Sequence, residues 1–225
     1  IGAGSGGLSV VEKAALHGAK CAVIESHDVG GTCVNRGCVP KKVMWFGANL
    51  AHALHHAKDY GFDVQINGFN WAKLVAKREN LIGGITDWYK DSFLSEAGIE
   101  LIEGAAKFVD AKTLDVDGER YTADHIVIAT GSRPVMPTTI PGAELGISSD
   151  GFFMLDEQPK KVAVVGGGYI ALELAGVLHA LGTETHVLYQ GHSMLRGFDS
   201  LMRTTLKAQM VQDGIISNDH AKIKS

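Results

Sequence analysis

The stretch Ile1-Gly2-Ala3-Gly4-Ser5-Gly6-Gly7-Leu8-Ser9-Val10-Val11-Glu12-Lys13-Ala14-Ala15-Leu16-His17-Gly18-Ala19-Lys20-Cys21-Ala22-Val23-Ile24-Glu25 decides the fold. Gly2, Gly4 and Gly7 make a Gly-x-Gly-x-x-Gly spacing. Leu8 to His17 predicts a helix closed by Gly18, and Ala19 to Glu25 predicts a buried strand. Together these are a strand-turn-helix-strand unit without the start of its first strand, so the chain is expected to open inside the motif. Such spacing alone is weak, because glycines cluster in ordinary turns as well. Glu25 adds context: it ends the second strand roughly 20 residues on, where a carboxylate can hydrogen-bond the ribose of a dinucleotide. The glycines let backbone N–H groups approach a pyrophosphate at a helix N-terminus.

A second unit of the same kind lies further along. Lys161 to Val165 (KVAVV) predicts a strand, Gly166-Gly167-Gly168-Tyr169-Ile170-Ala171 the turn, Leu172 to Leu181 the helix and Thr185 to Tyr189 the closing strand. Gly166 and Gly168 fit the turn and pyrophosphate positions, with Ala171 where the helix packs on the strand. Two such units in one chain are much harder to dismiss than one. The second ends at Tyr189-Gln190 without a carboxylate, and Arg196 follows, which favours a nucleotide carrying a 2′-phosphate. Arg196 by itself also reads as a solvated surface arginine.

Between the units stands Gly30-Gly31-Thr32-Cys33-Val34-Asn35-Arg36-Gly37-Cys38-Val39-Pro40-Lys41-Lys42. Closing so small a ring would restrict the unfolded chain by only about 2 kcal/mol, against roughly 4.7 kcal/mol for a hundred-residue ring. A reversible dithiol has the better rationale. Thiolates are the reactive form, and helix N-termini and cations lower thiol pKa values; a helix from about Val39, with Lys41 in its first turns, offers both. Zinc ligation, which wants two more ligands at suitable spacing, and two inert thiols remain the alternatives. Cys21 sits in the predicted strand and reads as a small buried hydrophobe.

Composition bounds the rest. The chain has 225 residues, 45% of them hydrophobic, and a net charge of -4. It is long enough for one large or two modest domains. No basic field is present to recruit nucleic acid or an anionic membrane. No apolar run reaches the roughly 20 residues that span a bilayer and no charged leader precedes one, so a soluble, cytoplasmic protein is expected. Three cysteines do not make a structural disulfide framework.

The segments GAGSGG, GGTCVNRGCVPKKVMW, DHIVIATGSRP, SDGFF and VVGGGYIALELAG together resemble the glutathione reductase family, of the class I pyridine nucleotide-disulfide oxidoreductases, across essentially the whole chain. Cys38-Val39-Pro40-Lys41-Lys42 is similar to the glutathione and trypanothione branch, whereas dihydrolipoamide dehydrogenases and mercuric reductases carry serine before the lysine. The resemblance implies an α/β fold of two Rossmann-like dinucleotide-binding units, three-layered, with a small β-hairpin or meander insertion. Residues 1–135 would be an FAD-binding domain and 136–225 an incomplete NADPH-binding domain, with the C-terminal interface domain absent and the chain truncated at both ends.

It also implies site residues. FAD would lie along Gly2, Gly4, Ser5, Gly6, Gly7, Glu25, Gly31, Thr32, Cys33, Lys41, Ala106, Thr130 and Gly131. NADPH would lie along Gly166, Gly167, Gly168, Ile170, Glu173 and Arg196, with Tyr169 gating the nicotinamide pocket. Hydride would pass from NADPH to the flavin and electrons to a Cys33–Cys38 disulfide, Cys38 facing the flavin and Cys33 attacking oxidised glutathione. Lys41 would pair with Glu173 beside the flavin; either also reads as a surface charge. The implied assembly is a homodimer, with no metal, nucleic acid or membrane partner. A later glycine-aspartate motif and a partner's proton-transfer histidine fall outside these residues, so the chain alone is expected to be inactive.

Three departures from the pattern bear on substrate. Gln190 stands where the first of two 2′-phosphate arginines is expected. Glu12 and Ser9 stand on the substrate-facing side of the first helix, where neither the glutathione nor the trypanothione pattern is complete. The alternative readings are a trypanothione or related disulfide reductase, or a non-catalytic dinucleotide-binding thiol module. Trp88 and Tyr89, on a long helix over about 70–97, are placed by the resemblance at the substrate cleft, though Trp88 reads as well as packing on the sheet. His52, His55 and His56 have helical spacing without converging ligands and read as a solvated helix face.

Overall fold

The structure is a computed structural model and describes residues 1–223. Along the chain run α1 (Ser5–Leu16), β1 (Ala22–Glu25), α2 (Gly31–Arg36), α3 (Cys38–His56) and α4 (Trp71–Trp88), which continues through a π-helical stretch over Tyr89–Leu94. Short strands follow: β2 (Glu100–Glu103), β3 (Ala106–Phe108), β4 (Thr113–Val116) and β5 (Glu119–Thr122). The remainder holds α5 (Ser149–Phe152), β6 (Lys161–Val165), α6 (Tyr169–Ala180), β7 (Glu184–Leu188), α7 (Ser200–Gln212) and β8 (Ile216–Asn218).

The chain divides into two compact units, Ile1–Pro40 with Lys77–Arg133, and Lys41–Ala76 with the residues from Pro134 onward. The division after Arg133 falls beside the expected boundary at 135. Residues 41–76, however, group with the second unit rather than with the first segment, and burial is the reason. Met44 and Ala48 of α3 and Trp71 of α4 bury among Phe152, Phe153, Leu174, Val177 and Leu178. The Trp71 indole N–H donates to the Leu155 carbonyl at 3.0 Å, so the ring is buried with its polar atom satisfied.

In the first unit β1 and β2 pair in parallel, Ala22 opposite Glu100 through Glu25 opposite Glu103. Ile1 takes the place of a further strand. The Gly2 N–H donates to Ile24 O at 2.7 Å on one side, while the Ile1 amino group donates to Val127 O and the Ala129 N–H to Ile1 O on the other, at 2.7 and 2.8 Å. The spatial order is β2, β1, Ile1, then 127–129, the beginning of a doubly wound sheet. Successive strand residues point to opposite faces. Val23 therefore packs with Leu8 and Val11 of α1 and with Leu94 and Ile99, while Ile24 packs with Ile102, Leu114 and Val116. Strands β3, β4 and β5 form an antiparallel meander that covers this second face. Helix, parallel strands and meander are the three layers expected from the resemblance.

The strand expected over 19–25 is shorter at its start. Gly18, at φ +84°, ends α1 and the Ala19 N–H turns back to Ala14 O at 3.1 Å, so those residues close the helix instead of extending the strand.

The second unit carries a parallel sheet in the order β6-β7-β8, with Lys161 opposite Glu184 and Val187 opposite Ser217. Leu172 and Ala175 of α6 pack with Val187, Tyr189, Met194, Met210 and Ile215 beneath the sheet. Helix α6 starts at Tyr169, three residues before the expected Leu172, because Gly168 already serves as its N-cap in extended backbone. Among the described residues no helix is long and apolar enough to cross a membrane.

Candidate functional site

The first glycine loop is shaped by close approaches. A Cβ at Gly2, whose φ is +99°, would run into the Ala129 carbonyl and come within 3.3 Å of Thr130 Cα; one at Gly7 would run into the Gly2 carbonyl. Gly7 thus sets α1 against the strand end. Gly6 has nothing within 4 Å of where its Cβ would stand, and the Gly4 N-cap of α1 supplies no side-chain cap. Unshared N–H groups at the start of a 12-residue helix, facing open space, fit the pyrophosphate of a dinucleotide.

A second loop presses against this one. The Gly30 N–H donates to Ala3 O at 2.8 Å, Gly4 and Gly30 form a parallel bridge, and a Cβ on Gly31 would stand 2.6 Å from Gly4 Cα. Helix α2 starts at this contact and carries Cys33. The turn back to Cys38 passes Gly37, where a Cβ would come within 2.8 Å of Thr32 O and 3.3 Å of Cys33 Cα. Lacking a side chain, Gly37 lets the second cysteine return to the first. Asn35 clamps the same loop: its amide nitrogen donates to Val29 O at 3.1 Å and Gly31 O at 3.0 Å, and more weakly to Asp28 O at 3.4 Å.

Both cysteines are free thiols, Cys33 half-buried and Cys38 exposed, and their side chains hydrogen-bond each other. Burial pushes the Cys33 thiol above its ordinary range, and the hydrogen bond and charge of Cys38 push the same way. The Cys38 backbone N–H and the Ser5 hydroxyl donate to the Cys33 sulfur and favour its thiolate, but they do not outweigh those causes. The lowering expected for this pair is therefore reversed at Cys33, because desolvation and a neighbouring sulfur oppose the helix-terminus effect. The Glu25 carboxylate is fixed at the loop: it accepts from the backbone N–H of Ala3 at 2.7 Å, Ser26 at 2.8 Å and His27 at 2.9 Å.

In the second unit a cavity of about 450 Å³ opens at the second glycine loop, lined by Gly166, Gly167, Gly168, Tyr169, Gln190 and Arg196 among others. Gly166 has φ +140°. A Cβ at Gly167 would come within 3.2 Å of Tyr189 Cβ and 3.3 Å of Met194 Cα, while Gly168 has nothing within 4 Å. Leu195, at a left-handed φ of 52°, donates its N–H to Gly167 O at 2.7 Å and so ties the arginine loop to the glycine loop. The open space over Gly168, at the start of a helix whose N-cap has no side-chain partner, again fits a pyrophosphate. One turn into α6, Glu173 accepts from Lys41 Nζ at 2.9 Å.

The family described as pyridine nucleotide-disulphide oxidoreductase matches residues 1–225. The chain belongs to this family. Membership implies flavin and pyridine nucleotide cofactors. The chain is 44% identical over 229 residues to a glutathione reductase of Yarrowia lipolytica, covering 96% of this chain and 48% of that protein. It is 48% identical over 210 residues to a glutathione reductase of Schizosaccharomyces pombe, covering 90% of this chain and 45% of that one. The chain thus spans about half the length of the curated relatives it matches.

Within the oxidoreductase frame the expected site residues fall into groups. Gly2, Gly4, Ser5, Gly6, Gly7, Glu25, Gly31, Thr32, Cys33 and Thr130 gather about the first glycine loop, with Gly131 next along the chain at φ +70°. Ala106 stands apart on the meander, paired with Val116. Gly166, Gly167, Gly168, Tyr169 and Arg196 share the second cavity; Ile170 and Glu173 lie on α6 outside its lining. Ser9 is exposed and Glu12 half-buried on α1, at helical spacing from Ser5 and so on one face with it. Trp88, the last residue of α4, is 50% exposed and meets Tyr89 and Phe93 in tilted ring contacts at centroid distances of 5.0 and 5.4 Å. Cys21 precedes β1, half-buried, its thiol donating to Ala19 O at 3.5 Å. His52, His55 and His56 form an exposed helix face, His56 reaching Asp59 at 3.3 Å. Asn35 was not foreseen, because its clamp joins carbonyls that only the folded loop brings together. The role of Gly37 was legible in principle from a glycine beside the second cysteine.

Proposed function

We propose that this chain is the nucleotide-binding and redox-thiol half of an NADPH-dependent flavoprotein reductase acting on oxidised glutathione. The observation that carries it is the Cys33–Cys38 thiol contact, held beside the N-terminus of α1 by the meeting of two glycine loops. FAD is assigned to the first loop, with Ser5, Gly6, Glu25, Thr32, Thr130 and Gly131 about it and Ala106 and Lys41 as further contacts. NADPH is assigned to the second, with Gly167, Ile170, Glu173 and Arg196 as contacts and Tyr169 as gate.

When bound, the two cofactors supply a hydride donor and an electron relay to the disulfide. The chain's own sulfurs do the rest. Two electrons and two protons open Cys33–Cys38 to the dithiol seen here. The Cys33 thiolate attacks one sulfur of the substrate, breaking its S–S bond and releasing one thiolate, which takes a proton. The Cys38 thiolate then attacks Cys33 Sγ, re-forming the internal disulfide and releasing the second thiol. Lys41, held by Glu173, would supply a cation beside the flavin when that cofactor is bound.

Glu12 favours a second reading of the substrate. On the α1 face that begins at Ser5, a carboxylate repels glutathione carboxylates and suits a disulfide with a cationic arm. The deciding experiment is steady-state NADPH oxidation by the complete polypeptide with oxidised glutathione, trypanothione disulfide, lipoamide and mercuric ion. The glutathione assignment requires the highest kcat/KM for that substrate; a higher value for another would replace it. A colourless preparation of this chain whose thiols merely titrate would instead support the non-catalytic module. The homodimer and cytoplasmic setting belong to the same reading, tested by mass in solution and by cell fractionation.

A further inference from the structure

Asn35 stands inside the ring that Cys33 and Cys38 would close, two residues after the first sulfur and three before the second. A carboxamide nitrogen carries two hydrogens, and that of Asn35 reaches the carbonyls of Val29 and Gly31 at 3.1 and 3.0 Å, with Asp28 O a weaker third partner at 3.4 Å. Its Oδ1 and the Val29 carbonyl both face the Thr86 hydroxyl of α4, each at 3.5 Å. The carbonyls belong to the turn in which Gly30 and Gly31 take left-handed φ values of +100° and +59°. That turn is the one pressed against Gly4 at the start of α1. The clamp therefore links the middle of the thiol ring to the backbone that places it.

The pair has two states that differ in one bond. As a dithiol its sulfurs are hydrogen-bonded; as a disulfide they are joined covalently. Closing the bond restricts the ring backbone, which costs conformational entropy only to the extent that the open ring was free. Asn35 already restrains the open ring: it shares the six-residue α2 with Cys33, and the sulfurs meet before any bond forms. Without the clamp the dithiol regains motion, while the disulfide, held by its own covalent link, regains less. The carbonyls left without their donor are common to both states, so their cost cancels from the equilibrium between them.

We propose that Asn35 is a positioning residue of the thiol pair: by tying the ring to the carbonyls of the 28–31 turn it holds Cys33 where Cys38 returns to it, and so sets how strongly the disulfide is favoured over the dithiol. This rests on the redox-thiol reading above and goes further by naming the residue between the cysteines that governs their equilibrium. Leucine at this place keeps the branching of asparagine but offers no donor, and glutamine keeps the donors on a stem one methylene longer. In exchange with glutathione, one thiolate attacks a ring sulfur, breaks the internal S–S bond and forms a mixed disulfide. A second glutathione thiolate attacks the glutathione sulfur of that mixed disulfide and leaves as oxidised glutathione. Both cysteines end as thiols, carrying the two protons that the glutathione thiols gave up.

The test equilibrates this chain with glutathione redox buffers of graded ratio, quenches with acid and alkylates the free thiols. Peptide masses then give the internal disulfide, the mixed disulfide and the dithiol, and separate Cys21 from the pair. Asn35→Leu is expected to lower the equilibrium constant for the internal disulfide about tenfold, which makes this two-electron couple roughly 30 mV less negative. Asn35→Gln is expected to move it the same way by about threefold, and it serves as the test where the leucine variant does not fold. A clamp that serves structure alone costs both redox forms equal stability and leaves the constant unmoved. Equal constants for the parent and the variants, or a shift toward the disulfide, overturn the proposal. If the parent forms no internal disulfide in any of the buffers, the redox-thiol reading falls with it. If the parent forms it and the variants match the parent, only the role of Asn35 is lost.

Discussion

Gly31 lies so close to Gly4 that a methyl group on it would stand 2.6 Å from the Gly4 Cα. This contact between two backbones sets the start of α2, and hence Cys33, against the N-terminus of α1. Gly31→Ala combines a clash with a left-handed φ of 59° and is expected to lower stability by about 3 kcal/mol. Gly18→Ala, at φ +84° with open space around it, keeps only the backbone strain and should lose about 1 kcal/mol. Urea unfolding of the two variants compares them; equal losses would show that the contact between the loops carries no weight.

The Cys33 thiol is raised chiefly by burial and next by Cys38. An acid whose folded pKa is raised stays protonated to higher pH, so alkylation of Cys33 by iodoacetamide should reach half its maximal rate at a pH above that of an ordinary thiol. Cys38→Ala removes the second cause and leaves the first. Its alkylation midpoint is expected to move down yet remain above the ordinary range. Mass-spectrometric labelling across a pH series follows this, and a midpoint that moves up would reverse the assigned role of Cys38.

Lys41 and Glu173 meet at 2.9 Å with side chains 26% and 42% exposed. Ion pairs this open contribute at most about 1 kcal/mol to stability. Glu173→Gln should therefore leave the melting temperature of the chain nearly unchanged. If the pair holds a cation for the reduced flavin, the same change in the complete polypeptide lowers kcat by about tenfold or more. Loss of folding stability beyond about 2 kcal/mol would make the pair a structural one instead.

Glu12 shares one face of α1 with Ser5 and Ser9. Replacing its charge with a cation, Glu12→Arg, is expected to raise kcat/KM of the complete polypeptide for oxidised glutathione by about tenfold, mainly through KM, because the substrate carboxylates then meet attraction. A drop in kcat/KM for glutathione with no gain for any anionic disulfide would remove Glu12 from the substrate path.

Much of this molecule was determined locally. Period and glycine punctuation located β6, β7, α1 and α6 to within a few residues, because hydrophobic alternation and helix caps act over one or two turns. The Cys33-x-x-x-x-Cys38 spacing and the two glycine motifs likewise pointed to thiol and dinucleotide chemistry, since close backbone approach and paired sulfurs leave their requirements in the residue types. Tertiary structure alone decided the rest. That residues 41–76 pack with the second unit follows from which apolar faces find each other, and that Asn35 clamps carbonyls of the loop over 28–31 follows from how that loop folds. Whether Cys33 is a ready thiolate depends on burial and on the sulfur beside it. Electrostatic environment and long-range contact are properties of the packed chain, so neither is written in any one segment of it.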